Sequence, residues 1–430
     1  MGRERAVASP INANLRVLAA AMVGTSVEFY DFYVYATAAA LVFGPLFFPA
    51  TSASAQLLLS LASFGLAFFA RPVGAIAFGH FGDRLGRKST LVVSLMLMGA
   101  STLLIAFLPT YAQVGWVAPL LLCILRFGQG FGLGGEWGGA ALLAVENAPK
   151  GWEARFGSAP QFGAPIGFLA ANGLFLLLGI GLSDRDFAAW GWRIPFVLSA
   201  VLVALGLWIR LKVSETPAFR EALEQAPPPA IPLGVLLRHH WPAVIAGAAA
   251  VISAFAIFYL STAFALGHLT TARGVPRETA LALQLGANCF MALGILWSGV
   301  WSDRTSPRRV LIYGAAGTVA LGVLFGPALG AGTLLTVFLT LSFAMVVMGL
   351  VYGPLGAWLP TLFPVTVRYT GVSVAFNCGG IIGGAVAPVA AQWLSGMGGI
   401  ALVGLFLSVA GLVTLAGVLM GKLGGPADAV

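Results

Sequence analysis

The chain has 430 residues, of which 59% are hydrophobic and only 9% are charged. Soluble globular domains carry about 25% charged residues, so this chain has too few charged side chains to cover a soluble surface. The same composition excludes a disordered chain, a collagen-like repeat and a secreted disulfide scaffold. We therefore expect most of the protein to be surrounded by lipid.

Apolar segments long enough to cross a bilayer occur in two sets of six along the chain. The first set lies at roughly 15–44, 55–80, 89–109, 115–145, 156–181 and 191–211. The second set lies at roughly 243–270, 280–302, 309–330, 333–359, 370–395 and 399–421. We predict an all-α membrane protein in which twelve transmembrane helices form two pseudo-symmetric six-helix bundles.

The longest polar stretch of the chain separates the two sets. It predicts an N-terminal bundle over 1–211, a cytoplasmic linker over 212–242 and a C-terminal bundle over 243–430. The first apolar segment follows a basic N-terminus, as in a signal peptide. It continues past Glu28 and Asp31 without an A-x-A cleavage site, so we expect it to remain as a membrane span.

Two loops of similar sequence follow the second helix of each half. Asp83-Arg84 in the first loop recurs as Asp303-Arg304 in the second, 220 residues later. Parallel repeats of six helices are a known plan among transporters. Charged groups here can pair across the seam between the halves and hold one face closed, or they can be solvated topology signals. The predicted gating residues are Asp83, Arg84, Arg87, Lys88, Asp303 and Arg304.

The Lys and Arg residues are unevenly divided between the two sides of the predicted membrane. With a cytoplasmic N-terminus, 17 of the 23 fall on the cytoplasmic side and four on the outer side, while Arg71 and Arg126 lie within spans. Because loops rich in basic residues stay in the cytoplasm, both termini are predicted to be cytoplasmic. The net charge of +8 is therefore a topology signal, and no nucleic-acid partner is expected.

Two carboxyl groups lie near the middle of the first predicted helix. Glu28 and Asp31 are three residues apart, so we expect them to share one face of the helix. Ionisable groups inside a membrane usually face a cavity or a partner, and two neighbouring carboxylates in a medium of low dielectric constant repel each other. One of them is therefore expected to bind a proton near neutral pH, which proton coupling requires. The alternative is a fixed salt bridge to Arg71 or Arg126.

The two arginines within spans are the candidate ligands for a negatively charged substrate. The guanidinium group of Arg126 is planar and matches a carboxylate, so we predict that it binds the substrate together with Arg71. The alternative is a permanent pairing with Glu28 or Asp31. Further predicted lining residues, each of which can also be a helix-packing contact, are Tyr30, Gln129, Glu136, Gln161, Tyr259 and Asn377.

Other chemistry has little support in the sequence. The three cysteines lie in apolar runs with no Cys/His cluster, so we expect no metal and no cofactor. The glycine-rich run after Arg126 lacks the Lys-Ser/Thr ending of a phosphate-binding loop, which argues against ATP. No nucleophile–base pair indicates an enzyme, and no filter-like repeat indicates a channel.

The motifs together resemble those of the major facilitator superfamily, and more narrowly its metabolite:proton symporters. The similarity lies in Gly24-Thr-Ser-Val-Glu28-Phe29-Tyr30-Asp31, in the run from Arg126 to Gly139, in the loop at Gly79–Lys88 and its repeat, and in Leu362–Gly371. That family includes transporters of α-ketoglutarate, citrate, shikimate and proline or betaine. Phe29 stands where the family commonly has Trp, and Pro307 with one extra residue alters the second loop.

The resemblance implies a secondary transporter that works by alternating access about a site at the membrane midplane. We expect proton-coupled symport of a small polar metabolite, such as a dicarboxylate or a shikimate-like acid, by a monomer in a bacterial inner membrane. Its partners would be the metabolite, the proton and the lipid bilayer. Proton-coupled efflux and uptake of an osmolyte such as proline or betaine remain alternatives.

Overall fold

The structure is a computed structural model that describes residues 10–50, 52–85, 87–146, 148–212, 232–364 and 367–421. Twelve long helical segments, labelled α1 to α12, occupy most of these residues. In the first half they are α1 (Pro10–Ala38, continued by a π-helical turn at Ala39–Phe43 and a short helix at Gly44–Phe47), α2 (Ala53–Leu85), α3 (Arg87–Ile105), α4 (Val117–Glu146), α5 (Glu153–Gly181) and α6 (Ile194–Lys212).

The second half repeats this arrangement. Its helices are α7 (Trp241–Thr271), α8 (Arg277–Arg304), α9 (Pro307–Ala331), α10 (Leu334–Leu362), α11 (Arg368–Gly398) and α12 (Ala401–Met420). Ten of the twelve are long and apolar enough to cross a membrane by themselves. Of the other two, α1 carries Glu28 and Asp31 and α3 has a shorter apolar stretch at Val92–Ile105. The prediction of an all-α protein with twelve membrane helices is confirmed.

Shorter elements connect the long helices. Residues 213–231 of the predicted linker lie outside the described residues, whereas Pro232–His239 forms a short helix ahead of α7. This helix buries Leu236, so the last part of the predicted polar linker packs against the protein. At the other end of the helical bundle, a short helix at Tyr111–Val114 precedes α4 and another at Asp184–Ala189 precedes α6.

A matching irregularity in α1 and α7 supports the internal repeat. Each of these helices contains one π-helical turn, at Ala39–Phe43 and at Leu260–Phe264, which start 221 residues apart. The two helices meet at the centre of the molecule, where the ring of Tyr33 lies 5.0 Å from that of Phe258. The first helices of the two halves are therefore equivalent in both position and shape.

Glycines let α2 and α4 approach closely in the first half. A Cβ atom added at Gly134 would lie 2.3 Å from the backbone nitrogen of Ala75 and 2.3 Å from the carbonyl oxygen of Arg71. A Cβ atom at Gly130 would lie 2.2 Å from the carbonyl oxygen of Ala67. Small residues at such crossings are common in membrane proteins, and here they place Arg71 next to α4.

Gly134→Ala is expected to lower the apparent melting temperature of the purified protein in detergent, because the new methyl group overlaps backbone atoms of α2 that cannot rotate away. Gly173→Ala in α5 is the matched control, because a Cβ atom at Gly173 would have no atom of a neighbouring element within 4 Å. We expect Gly173→Ala to melt at or above the wild-type temperature, since Ala is favoured over Gly in a helix by about 1 kcal/mol. Equal melting temperatures for the two variants would contradict the packing described here.

Candidate functional site

A cleft lies between the two halves. We call the face at which α2, α4 and α8 end the inner face, which the basic loops assign to the cytoplasm, and the opposite face the outer face. The cleft lies on the inner side of the centre. The first half contributes Thr25, Glu28, Phe29, Phe32, Arg71 and Trp137, and the second half contributes Phe255, Ser373, Phe376 and Asn377.

Arg71 supplies the positive charge of this cleft. Its guanidinium carbon lies 4.5 Å from the ring centroid of Phe32 and 4.7 Å from that of Phe68. The side chain is buried, and its Nε atom has no hydrogen-bond partner among the described residues. Since a buried charged donor without a partner is costly, Arg71 is well suited to bind an anion that enters the cleft. Glu28 lines the same cleft and is also buried.

Arg126 lies outside the cleft, in contrast to the prediction that it binds the substrate directly. Its guanidinium carbon is 4.1 Å from the ring centroids of both Phe32 and Tyr35 and 4.7 Å from that of Phe64. Its Nη1 atom donates to Gln129 Oε1 at 2.9 Å. Phe32, which lines the cleft, contacts both arginines, so it separates Arg126 from the cleft.

Asp31 and Glu28 do not share a site. Asp31 is buried and accepts hydrogen bonds from Ser199 Oγ of α6 at 2.5 Å and from Thr102 Oγ1 of α3 at 3.2 Å. The prediction that both carboxyl groups lie on one face is wrong, because residues three apart on an α-helix still diverge by about 60°. That angle directs Glu28 to the cleft and Asp31 to α3 and α6.

A chain of polar contacts joins Asp31 to Arg126. Gln129 Nε2 donates to Thr102 Oγ1 at 2.8 Å, while Gln129 Oε1 accepts from Arg126. Thr102 in turn donates to Asp31 or to the carbonyl oxygen of Met98, which lies at 2.9 Å. The Arg126-x-x-Gln129 motif of the sequence is therefore a structural link between a buried guanidinium group and a buried carboxyl group.

The remaining predicted lining residues occupy several places. Asn377 lines the cleft and donates from Nδ2 to the carbonyl oxygen of Gly134 at 3.2 Å. Tyr30 donates to the carbonyl oxygen of Pro195 at 3.0 Å and does not reach the cleft. The side chain of Glu136 lies outside the described residues.

Gln161 and Tyr259 lie at the interface of the two halves rather than in the cleft. Gln161 Nε2 donates to the carbonyl oxygen of Tyr352 at 2.8 Å. Tyr259 stands in an aromatic cluster and lines a smaller, mainly apolar cavity. Phe29 borders both the cleft and this cavity.

Two aromatic residues that were not predicted meet across the cleft. Trp137 of α4 and Phe376 of α11 stack face to face, with ring centroids 3.6 Å apart and planes 7° from parallel. Since the two rings belong to different halves, opening the cleft toward the inner face must separate them. Trp137 directly follows Glu136 in the glycine-rich run. This position beside a predicted lining residue is the feature of the sequence that could have indicated Trp137 as a residue of the cleft.

At the inner face, Asp303 of the second half contacts residues of the first half. Its Oδ2 atom lies 2.6 Å from Arg155 Nε, and its Oδ1 atom accepts from the backbone nitrogen of Ala154 at 2.8 Å. Asp303 thus caps the N-terminus of α5 from the other half. Arg155 was not predicted, because its position in a basic loop suggested only topology.

The other predicted gating residues show no described contact between the two halves. Arg304 is exposed at the end of α8. The side chains of four more lie outside the described residues; they are Asp83, Arg84, Arg87 and Lys88.

Comparison with known proteins identifies the class. Residues 17–225 match the family model described as sugar (and other) transporter. The chain is 46% identical over 414 residues to the inner membrane metabolite transport protein YhjE of Escherichia coli strain K12, covering 95% of this chain and 94% of that protein. It is 38% identical over 377 residues to the shikimate transporter of the same strain, covering 86% and 85%.

A solved structure shows the same fold. The crystal structure of a D-xylose-proton symporter matches with a TM-score of 0.73 at 18% identity, covering 96% of this chain and 98% of that one. The fold and the relatives define a multi-pass transporter of the bacterial inner membrane, not an enzyme. The chain belongs to the major facilitator superfamily and, within it, to the group of metabolite transport proteins that these relatives represent.

Thr102→Val is expected to destabilise the protein by about 1–3 kcal/mol, because it removes the hydroxyl group that accepts from Gln129 Nε2 and donates to Asp31 Oδ2, and so leaves a buried donor and a buried acceptor unsatisfied. Thr102→Ser keeps the hydroxyl group and is the control. Thermal unfolding of the two variants in detergent measures the difference. If Thr102→Val proves as stable as Thr102→Ser, the polar link between Asp31 and Arg126 has no energetic role.

Proposed function

We propose that the protein carries a small carboxylate-bearing metabolite across the membrane together with a proton, by alternating access of a cleft between its two halves. The observation that supports this most directly is that Arg71 lines the cleft and that its buried, charged Nε group has no hydrogen-bond partner among the described residues. Glu28 lines the same cleft. The name of one relative, a shikimate transporter, fits the proposed substrate class.

The cleft supports a substrate with one carboxylate rather than two. Arg71 is the one cationic residue among the described residues that line it, since Arg126 is enclosed behind Phe32. A dicarboxylate would bring a second negative charge close to Glu28 in a medium of low dielectric constant, where repulsion is strong. The aromatic side chains of Phe29 and Trp137 can contact an apolar ring or face of the substrate.

A zwitterion with a quaternary ammonium group is the second candidate. Glu28 and the aromatic rings of the cleft form the kind of surroundings that attract such a cation, while Arg71 would bind its carboxylate. The test is direct binding of each compound class to the purified protein. A neutral sugar that bound more tightly than both carboxylate classes would overturn the role given to Arg71.

Asp31 is the proposed proton carrier. It is buried, and its described partners are hydroxyl groups rather than cations. An unpaired carboxylate is costly in such a place, and binding a proton removes that cost. Because Thr102 connects Asp31 to Gln129 and Arg126, a change of charge at Asp31 alters the polar contacts behind Phe32 and hence the wall of the cleft.

We further propose that one chain is the transporting unit. Both halves of a single chain build the cleft, so no second copy is needed to complete it. The pair of Arg155 and Asp303 and the stack of Trp137 on Phe376 would hold the inner face closed and separate when it opens.

Arg71→Gln is expected to raise the KM for uptake of a labelled carboxylate into proteoliposomes by about tenfold or more, because it removes charge-assisted hydrogen bonds to the substrate. Arg273→Gln is the control, since Arg273 also binds backbone carbonyl groups but lies away from the cleft. A panel that includes shikimate, a dicarboxylate and a betaine identifies the preferred class. An unchanged KM in Arg71→Gln would refute direct binding by this residue.

Asp31→Asn is expected to abolish accumulation driven by an inward proton gradient while preserving exchange of labelled for unlabelled substrate at equal pH, because exchange needs no net proton movement. Asp186→Asn, which changes an exposed carboxylate, is the control. Glu28→Gln tests the other predicted proton carrier in the same assay. Gradient-driven accumulation that survives in Asp31→Asn but not in Glu28→Gln would transfer the role to Glu28.

A further inference from the structure

Helix α5 of the first half is held at both ends by α8 of the second half. At the inner end, Asp303 accepts from the backbone nitrogen of Ala154 and from Arg155. At the outer end, Arg277 reaches the last carbonyl groups of α5. The two helices run antiparallel, so a negative group meets the N-terminus of α5 and a positive group meets its C-terminus.

Arg277 makes most of its contacts across the seam between the halves. Its Nη2 atom donates to the carbonyl oxygens of Gly179 at 3.3 Å and Leu182 at 3.4 Å. Its Nη1 atom lies 2.9 Å from Asp184 Oδ1, and its guanidinium carbon lies 4.0 Å from the ring centroid of Phe187. Among the contacts of Arg277 with described residues, the bond from Nε to Glu278 Oε1, at 2.7 Å, is the one that stays within its own half.

These contacts differ in strength. The carbonyl groups in the last turn of a helix have no partner within the helix, and a cation there also meets the negative end of the helix dipole. The side chain of Arg277 is only 15% exposed, whereas that of Asp184 is 96% exposed. Since exposed ion pairs contribute little, the carbonyl bonds and the contact with Phe187 hold Arg277 in place more than Asp184 does.

We propose that Arg277 is the outer latch of the transport cycle, the counterpart of Asp303 at the inner face. It holds the outer ends of α5 and α8 together while the outer face is closed, and it must release α5 before that face opens. Because both latches act on the same pair of helices, rocking the halves opens one latch while the other stays closed. This inference rests on the proposed alternating access.

Another arginine of the outer face provides a matched control. Arg273 donates to the carbonyl oxygens of Leu329 at 3.2 Å and Gly332 at 2.7 Å, at the C-terminal end of α9. It therefore makes the same kind of contact as Arg277, but within the second half. A loss of general stability would affect Arg273→Gln and Arg277→Gln alike, whereas loss of a latch would affect only Arg277→Gln.

The test measures distances between spin labels in the full chain in lipid nanodiscs, with the native cysteines replaced by serine. Labels at Ala112 and Ala272 report on the outer face, and labels at Lys150 and Thr305 report on the inner face; all four positions are exposed. Arg277→Gln is expected to raise the population with long outer distances on the order of tenfold. Arg273→Gln and Asp184→Asn should leave the distribution close to that of the wild type.

If the two latches alternate, breaking the inner latch should affect only the inner face. This gives a second measurement, which does not need the Arg277 variant. Asp303→Asn should lengthen the inner distances and leave the outer distances short. The proposal is overturned if Arg277→Gln keeps the wild-type outer distances, if Arg273→Gln opens the outer face equally, or if Asp303→Asn lengthens both sets. Because the distances require neither substrate nor proton gradient, failure of the latch is distinguishable from failure of the uptake assays.

Discussion

The structure depends on keeping two guanidinium groups inside a membrane-spanning bundle. Arg71 and Arg126 both contact the ring of Phe32, and each also lies over at least one further aromatic ring. Groups of this kind are rare in membrane spans because they are costly to insert. Arg126 is bonded to Gln129 and to a backbone carbonyl group, whereas Arg71 faces the cleft in which we propose that the substrate binds.

The helices were predictable from the sequence, and the orientation of each helix was not. Length and hydropathy define a span because backbone groups in lipid must bond within a helix; the predicted span at 243–270, for example, is observed at Trp241–Thr271. An apolar side chain can face either lipid or the protein interior. The hydropathy pattern therefore does not show which face of a membrane helix points to the interior. That is why the arginine facing the cleft proved to be Arg71 rather than Arg126.

The contacts between the halves were predictable only in part. The repeated loop motif pointed to Asp303, and the structure places it between α5 and α8. Arg155 and Arg277 are single basic residues near helix ends, where basic residues also serve as topology signals. Their function depends on a partner more than 90 residues away in the chain, and no local pattern specifies such a partner.

The central claim is that movement of the substrate is coupled to movement of a proton through a buried carboxyl group. The most direct measurement is the substrate ratio at which net flux stops in proteoliposomes with an imposed pH difference and the membrane potential held at zero. Coupling of one proton to each substrate molecule predicts that the ratio rises about tenfold for each pH unit. A ratio that stays at one for every pH difference would contradict the account.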